Sequence, residues 1–143
     1  MRRRAAITGL AVTVGCQRRG AAEPTLEAAI RAWTGDTTPR DGRVILEIAA
    51  LVENGNAVPV TVRVASSMTA ADHVREIVLF NQSNPQRDVV RFHLGPANGR
   101  AEVSTRIRLA TSQRLAALAR MSDGSVWQQH ADVLVTLAAC VEG

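Results

Sequence analysis

The chain holds few residues equipped for chemistry. It has two cysteines, Cys16 and Cys140, and three histidines, His73, His93 and His130. Cys140 stands in the segment "VTLAACVEG", where an apolar run from Val133 to Leu137 gives way to two alanines, the cysteine and three further residues. A thiol in such a place can sit buried and inert, pair with another molecule, or carry a covalent load. Glu142 lies two residues on, and nearby negative charge disfavours the thiolate. Cys140 is therefore not activated by its own neighbours, and a reaction at its sulfur needs positive charge from elsewhere.

The histidines do not complete a catalytic set. His93 falls opposite the apolar set of its strand, which predicts an exposed or hydrogen-bonded ring, and His130 and Cys140 lack zinc-type spacing. The chain has no GxGxxG, Walker loop, GxSxG or HExxH. Its acids show no pairing suited to glycoside chemistry. The expectation is a protein without catalytic residues, metal or cofactor of its own.

Charge excludes another class. The net charge is +4. Five of the 17 arginines fall in the first 22 residues, where there are no acids; the remainder holds 12 basic against 13 acidic residues, a net of −1. With two Trp, two Phe and no Tyr, neither a basic face nor a stacking platform for nucleic acid remains. The basic leader reads as an export signal over residues 1–22. Arg2, Arg3 and Arg4 form the charged region, Ala5 to Cys16 a weak apolar stretch too short to span a bilayer, and Gly20-Ala21-Ala22 a small-residue cleavage site. The consecutive Arg3 and Arg4 resemble a twin-arginine signal, predicting a periplasmic protein. "TVGC" lacks the leucine of a lipidation site at Cys16. Cleavage would leave Cys140 as the sole cysteine, which an internal disulfide cannot use.

The elements that must position this thiol follow from periodicity. Residues 23–42 read as a short helix and linker: Thr25 caps it, Leu26, Ile30 and Trp33 share one face, and Gly35 ends it. From Arg43 the period changes to two. The run "VILEIAALVE" reads as one buried strand. In "VPVTVRVA", Val58, Val60, Val62 and Val64 share a face and Pro59 marks an edge position or strand start. That valine strand is a candidate partner-facing surface. "HVREIVLFNQ", "VVRFHL" and "AEVSTRIRLA" follow. "QRLAALARM" lies between strands and is read as one despite its helix propensity, and "SVWQQHADVLVTLA" is the last. About seven strands separated by turns predict an all-β, immunoglobulin-like antiparallel sandwich over residues 43–137, followed by an arm at 138–143. With pairing ending near Leu137, the three residues to Cys140 give the thiol a reach of about 10 Å.

The segments "ENGNAVPVTV", "NPQRDVVRFHLGPANGRAEVSTRIRLATSQ" and "ALARMSDGSVW", with the terminal cysteine arm, resemble the SoxY family of sulfur-oxidation carrier proteins from about Arg43 onward. The resemblance implies a periplasmic immunoglobulin-like sandwich that pairs with a second sandwich, SoxZ. It also implies that Cys140 carries sulfur intermediates, such as those from thiosulfate, to separate sulfur-metabolism enzymes, without catalysis of its own. The arm departs from the family's Gly-Gly-Cys-Gly-Gly. Here it is Ala138-Ala139-Cys140-Val141-Glu142-Gly143, resembling a SoxY-related subgroup with Ala-Ala-Cys-Ile-Glu. Alanines make an arm stiffer than glycines do, and Glu142 would repel an anionic adduct. The alternative reading is a non-catalytic interaction or assembly module whose cysteine is inert or forms an intermolecular disulfide.

Overall fold

The computed structural model describes residues 25–84 and 87–137. Helix α1, Leu26–Thr34, opens the described chain. Thr25 caps it by accepting from the Ala28 N–H at 3.0 Å, and Gly35 ends it at φ +67°, a backbone region that costs glycine least. Nine strands follow: β1 Arg40–Asp41, β2 Val44–Glu47, β3 Leu51–Val52, β4 Val58–Val64, β5 Val74–Asn81, β6 Asp88–His93, β7 Glu102–Ile107, β8 Gln113–Met121 and β9 Val126–Val135.

They form an immunoglobulin-like sandwich with α1 laid on its outside. One sheet runs β1-β9-β8-β5-β6, with β3 also on β9; the other runs β2-β4-β7. Between the sheets lie the four valines of β4, Ile77 and Leu79 of β5, and Leu115, Ala117, Ala119 and Met121 of β8. On the opposite face of the large sheet, Leu26 and Ile30 of α1 pack on Val78, Phe80, Ala116, Leu118 and Val126. Strands β5 and β8 are thus covered on both faces. This explains why "QRLAALARM" carries so little polarity and why its helix propensity loses: as a central strand it buries Leu115 and Leu118 completely, each worth about 1.5–3 kcal/mol of transfer free energy. Trp33 meets Phe80 edge-on at 6.1 Å, and the Arg120 guanidinium stacks over Trp33 at 4.3 Å.

Two expectations are corrected. The run "VILEIAALVE" is not one strand. The chain pairs with β9 as β1 (Arg40↔Trp127), crosses to the small sheet as β2, then returns to β9 as β3. Positive φ at Gly42 (+119°) and Arg43 (+63°) turns the first crossing. The Gln129 side chain accepts from the Leu46 N–H at 2.6 Å where β9 has neither β1 nor β3 beside it. Both bridges to β9 are parallel, in a sandwich otherwise antiparallel. The apolar residues throughout this run conceal the change of sheet.

Second, the valine face of β4 is core and not a partner surface: Val58, Val60, Val62 and Val64 are all buried. The outer face of that sheet instead carries Arg63 between Glu47 and Glu102 and a Thr61–Ser104 hydroxyl pair at 2.8 Å. The edge assignment of Pro59 holds locally. Although β4 is central, β2 pairs with it only from Thr61 to Val64. The Ala65 N–H bonds Arg43 on the β2 side, whereas Val64 bonds Ala101 on the other. Odd-numbered residues therefore face β2, and Pro59, which has no N–H, faces the place where β2 has already left.

Candidate functional site

The residues singled out for the carrier reading (Cys140, with Ala138, Ala139, Val141, Glu142 and Gly143) lie outside the described residues, as do Arg3, Arg4 and Cys16 of the leader. The described chain ends at the root of that segment, and the root is held firmly. β9 runs beside β3 with Leu51↔Leu134 and Val52↔Val135 in register. The Leu134 N–H bonds Ala50 O at 2.8 Å and the Thr136 N–H bonds Val52 O at 2.9 Å. Thr136 Oγ1 donates to Glu53 O at 3.3 Å. On the other side, Ser112 Oγ accepts from the Val135 N–H at 2.8 Å.

The last of these anchors is Gly55. Its N–H donates to Leu137 O at 2.8 Å, and its carbonyl accepts from the Leu109 N–H, also at 2.8 Å. Gly55 is buried, so both its polar groups need partners, and it ties the final strand to the segment after β7. Sequence reasoning reads "ENGN" as a turn and does not see this clamp, because its partners stand 54 and 82 positions away. Ser112 is missed for the same reason. The glycine between two asparagines was the available signal.

Three large apolar side chains stand exposed near the root. Leu51, Leu134 and Leu137 are exposed by 57, 63 and 62%. Beside them an open groove of about 540 Å³ is lined by Ile48, Ala49, Leu51, Val52 and Pro59 among others, with Glu47 and Asn54 at its polar margin. It occupies the gap that β2 leaves along β4.

The histidines are not brought into one centre. His73 Nδ1 lies 3.0 Å from Thr69 O. His93 is exposed at the end of β6. His130 Nε2 lies 3.2 Å from Gln128 Oε1, and partial burial, aided by the Arg114 charge, holds its pKa below the usual 6.5. Among the described residues no group of three or more His, Cys, Asp or Glu is placed to hold a metal ion, and no helix is long and apolar enough to cross a membrane.

Comparison with known proteins places this geometry. Among solved structures, the sulfur carrier protein SoxY from Chlorobium limicola f thiosulfatophilum matches at 26% identity and a TM-score of 0.66, covering 79% of this chain and 97% of that one. A superoxide reductase (neelaredoxin) from Ignicoccus hospitalis matches at 19% identity and TM-score 0.60, covering 66% and 80%. The superoxide reductase from Nanoarchaeum equitans matches at 12% and 0.57, covering 67% and 100%. The two reductase likenesses are of fold alone. No curated protein matches the chain. Residues 30–140 match the family described as sulfur oxidation protein SoxY, a stretch that takes in the whole sandwich and stops on the cysteine; the chain belongs to the SoxY family.

Proposed function

We propose that this protein is a periplasmic carrier subunit that holds a sulfur intermediate covalently on Cys140 and presents it to separate enzymes. The observation that carries the proposal is where the family match ends: it runs unbroken through the sandwich to Cys140. The firmly held root supports it. A carrier needs a fixed body and a thiol beyond the last anchor, and Leu137, three positions before Cys140, is the last described residue to be anchored. The leader through Ala22, with Arg3 and Arg4, would export the chain, and a SoxZ-like sandwich would be its partner subunit. Val141, Glu142 and Gly143 set what the tip of the arm presents to an enzyme, and Glu142 favours an enzyme that supplies its own positive charge to the sulfur.

Intact-mass analysis of the protein purified from the periplasm of the producing cells tests this. Sulfane or thiosulfonate adducts on Cys140, absent from Cys140→Ser, are expected. A reductant-sensitive dimer without adducts would instead identify an assembly module, and an unmodified, unreactive thiol would refute the carrier role.

A further inference from the structure

The proposed carrier chemistry makes a geometric demand on the surface around Leu137. Leu137 is pinned by Gly55, and the three residues from there to Cys140 reach about 10 Å when extended. A tether so short cannot deliver the sulfur into a cleft unless the sandwich itself comes against the cleft's mouth. What meets that mouth is whatever surrounds the root.

Among the described residues, Leu51, Leu134 and Leu137 stand uncovered near the root, with Glu53, Asn54, Ser112 and Thr136 as its polar neighbours. Leu51 and Leu134 are partners in the β3–β9 bridge, and in a parallel register their side chains stand on the same face. That face is the one on which α1 packs further along the sheet, since Val133 points into the sandwich core and Leu134 therefore points away from it. With Leu137 they are three of the four large hydrophobic residues exposed by more than half among the described residues; the fourth, Ile45, lies on the outer face of the other sheet. The groove shares Leu51 with them and opens along the stretch of β4 whose edge facing β2 is left without a partner, and which Pro59 keeps from adding a strand. Apolar anchors beside a shallow slot are what a protein partner buries at an interface centre.

Resting on the carrier reading, we infer that Leu51, Leu134 and Leu137, with the groove at Ile48, Ala49 and Pro59, form the docking site for the enzyme that loads sulfur onto Cys140, and that the rim of that enzyme's cleft is apolar. The slot takes an apolar side chain from the rim. The leucines seal the mouth against water while the arm is inside. Docking and chemistry are then separable: the leucines set how often the arm is delivered, and the enzyme sets what happens to the sulfur.

The test uses the full carrier together with its partner subunit. It is incubated with periplasmic extract of the producing cells, an oxidised c-type cytochrome as electron acceptor, and thiosulfate or, in parallel, sulfide. Joining either sulfur to the Cys140 thiol releases two electrons and a proton, the electrons pass to the acceptor, and the adduct on Cys140 is followed by intact mass. Leu51→Asp and Leu134→Asp are expected to slow loading about tenfold at low carrier concentration, which is the effect of losing one interface anchor, and to recover the wild-type maximum at high concentration. Ile45→Asp should load at the wild-type rate. Alkylation of Cys140 by iodoacetamide should be equal in all, which separates docking from thiol access or misfolding. Loading unaffected by either leucine variant overturns the docking site while leaving the carrier reading intact. So does a loss of the complex with the partner subunit, or of a self-dimer, seen by light scattering in the leucine variants, because that assigns the face to subunit assembly. A wild-type protein that takes no adduct strikes the carrier reading itself, and the docking site with it.

Discussion

The carbonyl of Leu137 accepts a hydrogen bond from the buried N–H of Gly55 at 2.8 Å, across 82 positions of sequence. This bond is the furthest anchor described along the final strand, so it fixes the point from which Cys140 can reach. The same glycine receives the Leu109 N–H, which makes the root part of the sandwich and not a frayed end. Ordinary strand termini fray; this one is tied on both sides.

The Ser112 side of that tie can be removed without touching the core. Ser112→Ala takes away the acceptor of the Val135 N–H, an interaction worth about 0.5–1.5 kcal/mol. The Val135 amide is expected to exchange with solvent roughly three- to tenfold faster, while amides in β5 and β8 keep their protection. Hydrogen exchange followed by NMR measures both at once; an unchanged Val135 rate would show that Ser112 does not hold the root.

At the other end of the arm, replacing Val141-Glu142 with Gly-Gly removes bulk and the negative charge nearest the sulfur. The expected outcome is a change in which enzymes load or unload Cys140. Loading assays against separated periplasmic fractions read this directly, and an unaltered pattern would count against a role for Val141 and Glu142 in partner choice.

Strand β8 carries the stability. Leu115 is fully buried between the sheets, so Leu115→Ala should cost about 2–5 kcal/mol through lost burial and the cavity left behind. Against a total stability of roughly 5–15 kcal/mol, that is a large fraction. Urea unfolding should show a lower midpoint with an unchanged slope; a cost under about 1 kcal/mol would mean that the site collapses to fill the space.

Asp72 organises the β4–β5 loop. Its carboxylate accepts from Ser66 Oγ at 3.0 Å, from the Ser67 N–H and from Arg43. The Ser66 hydrogen bond is the largest cause that holds its pKa below the ordinary 3.8, with Ser67 and Arg43 adding to it. A carboxyl whose folded pKa is depressed contributes stability that is complete above the unfolded value and is lost as pH falls through the folded one. Acid unfolding should therefore include a contribution from Asp72 below about pH 4. Ser66→Ala should move the NMR titration midpoint of Asp72 upward and bring that loss to higher pH. An unmoved midpoint would assign the shift to the Ser67 N–H and Arg43.

Much of this protein was legible in one dimension because its signals are local. The cap at Thr25, the stop at Gly35 and the alternation of Val58 to Val64 each depend on residues a few positions apart, and backbone sterics and side-chain alternation decide them. Composition removed the basic face, and the segments around "ENGN" and "NPQRD" carried the family. What the sequence could not decide is where distant strands meet. The split of "VILEIAALVE" between two sheets, the loss of the β4 valines to the core, and the two-sided burial of β8 follow from which sheet each strand joins. That choice is made by apolar faces finding cover across the whole chain. The root of the arm is the sharpest instance. The placement of Cys140 near the end of the sequence was plain from the letters, but Gly55, Ser112, Leu51 and Leu134 acquire their roles only because β3 returns to lie beside β9, bringing a buried N–H to Leu137 and leaving Leu51 and Leu134 exposed side by side.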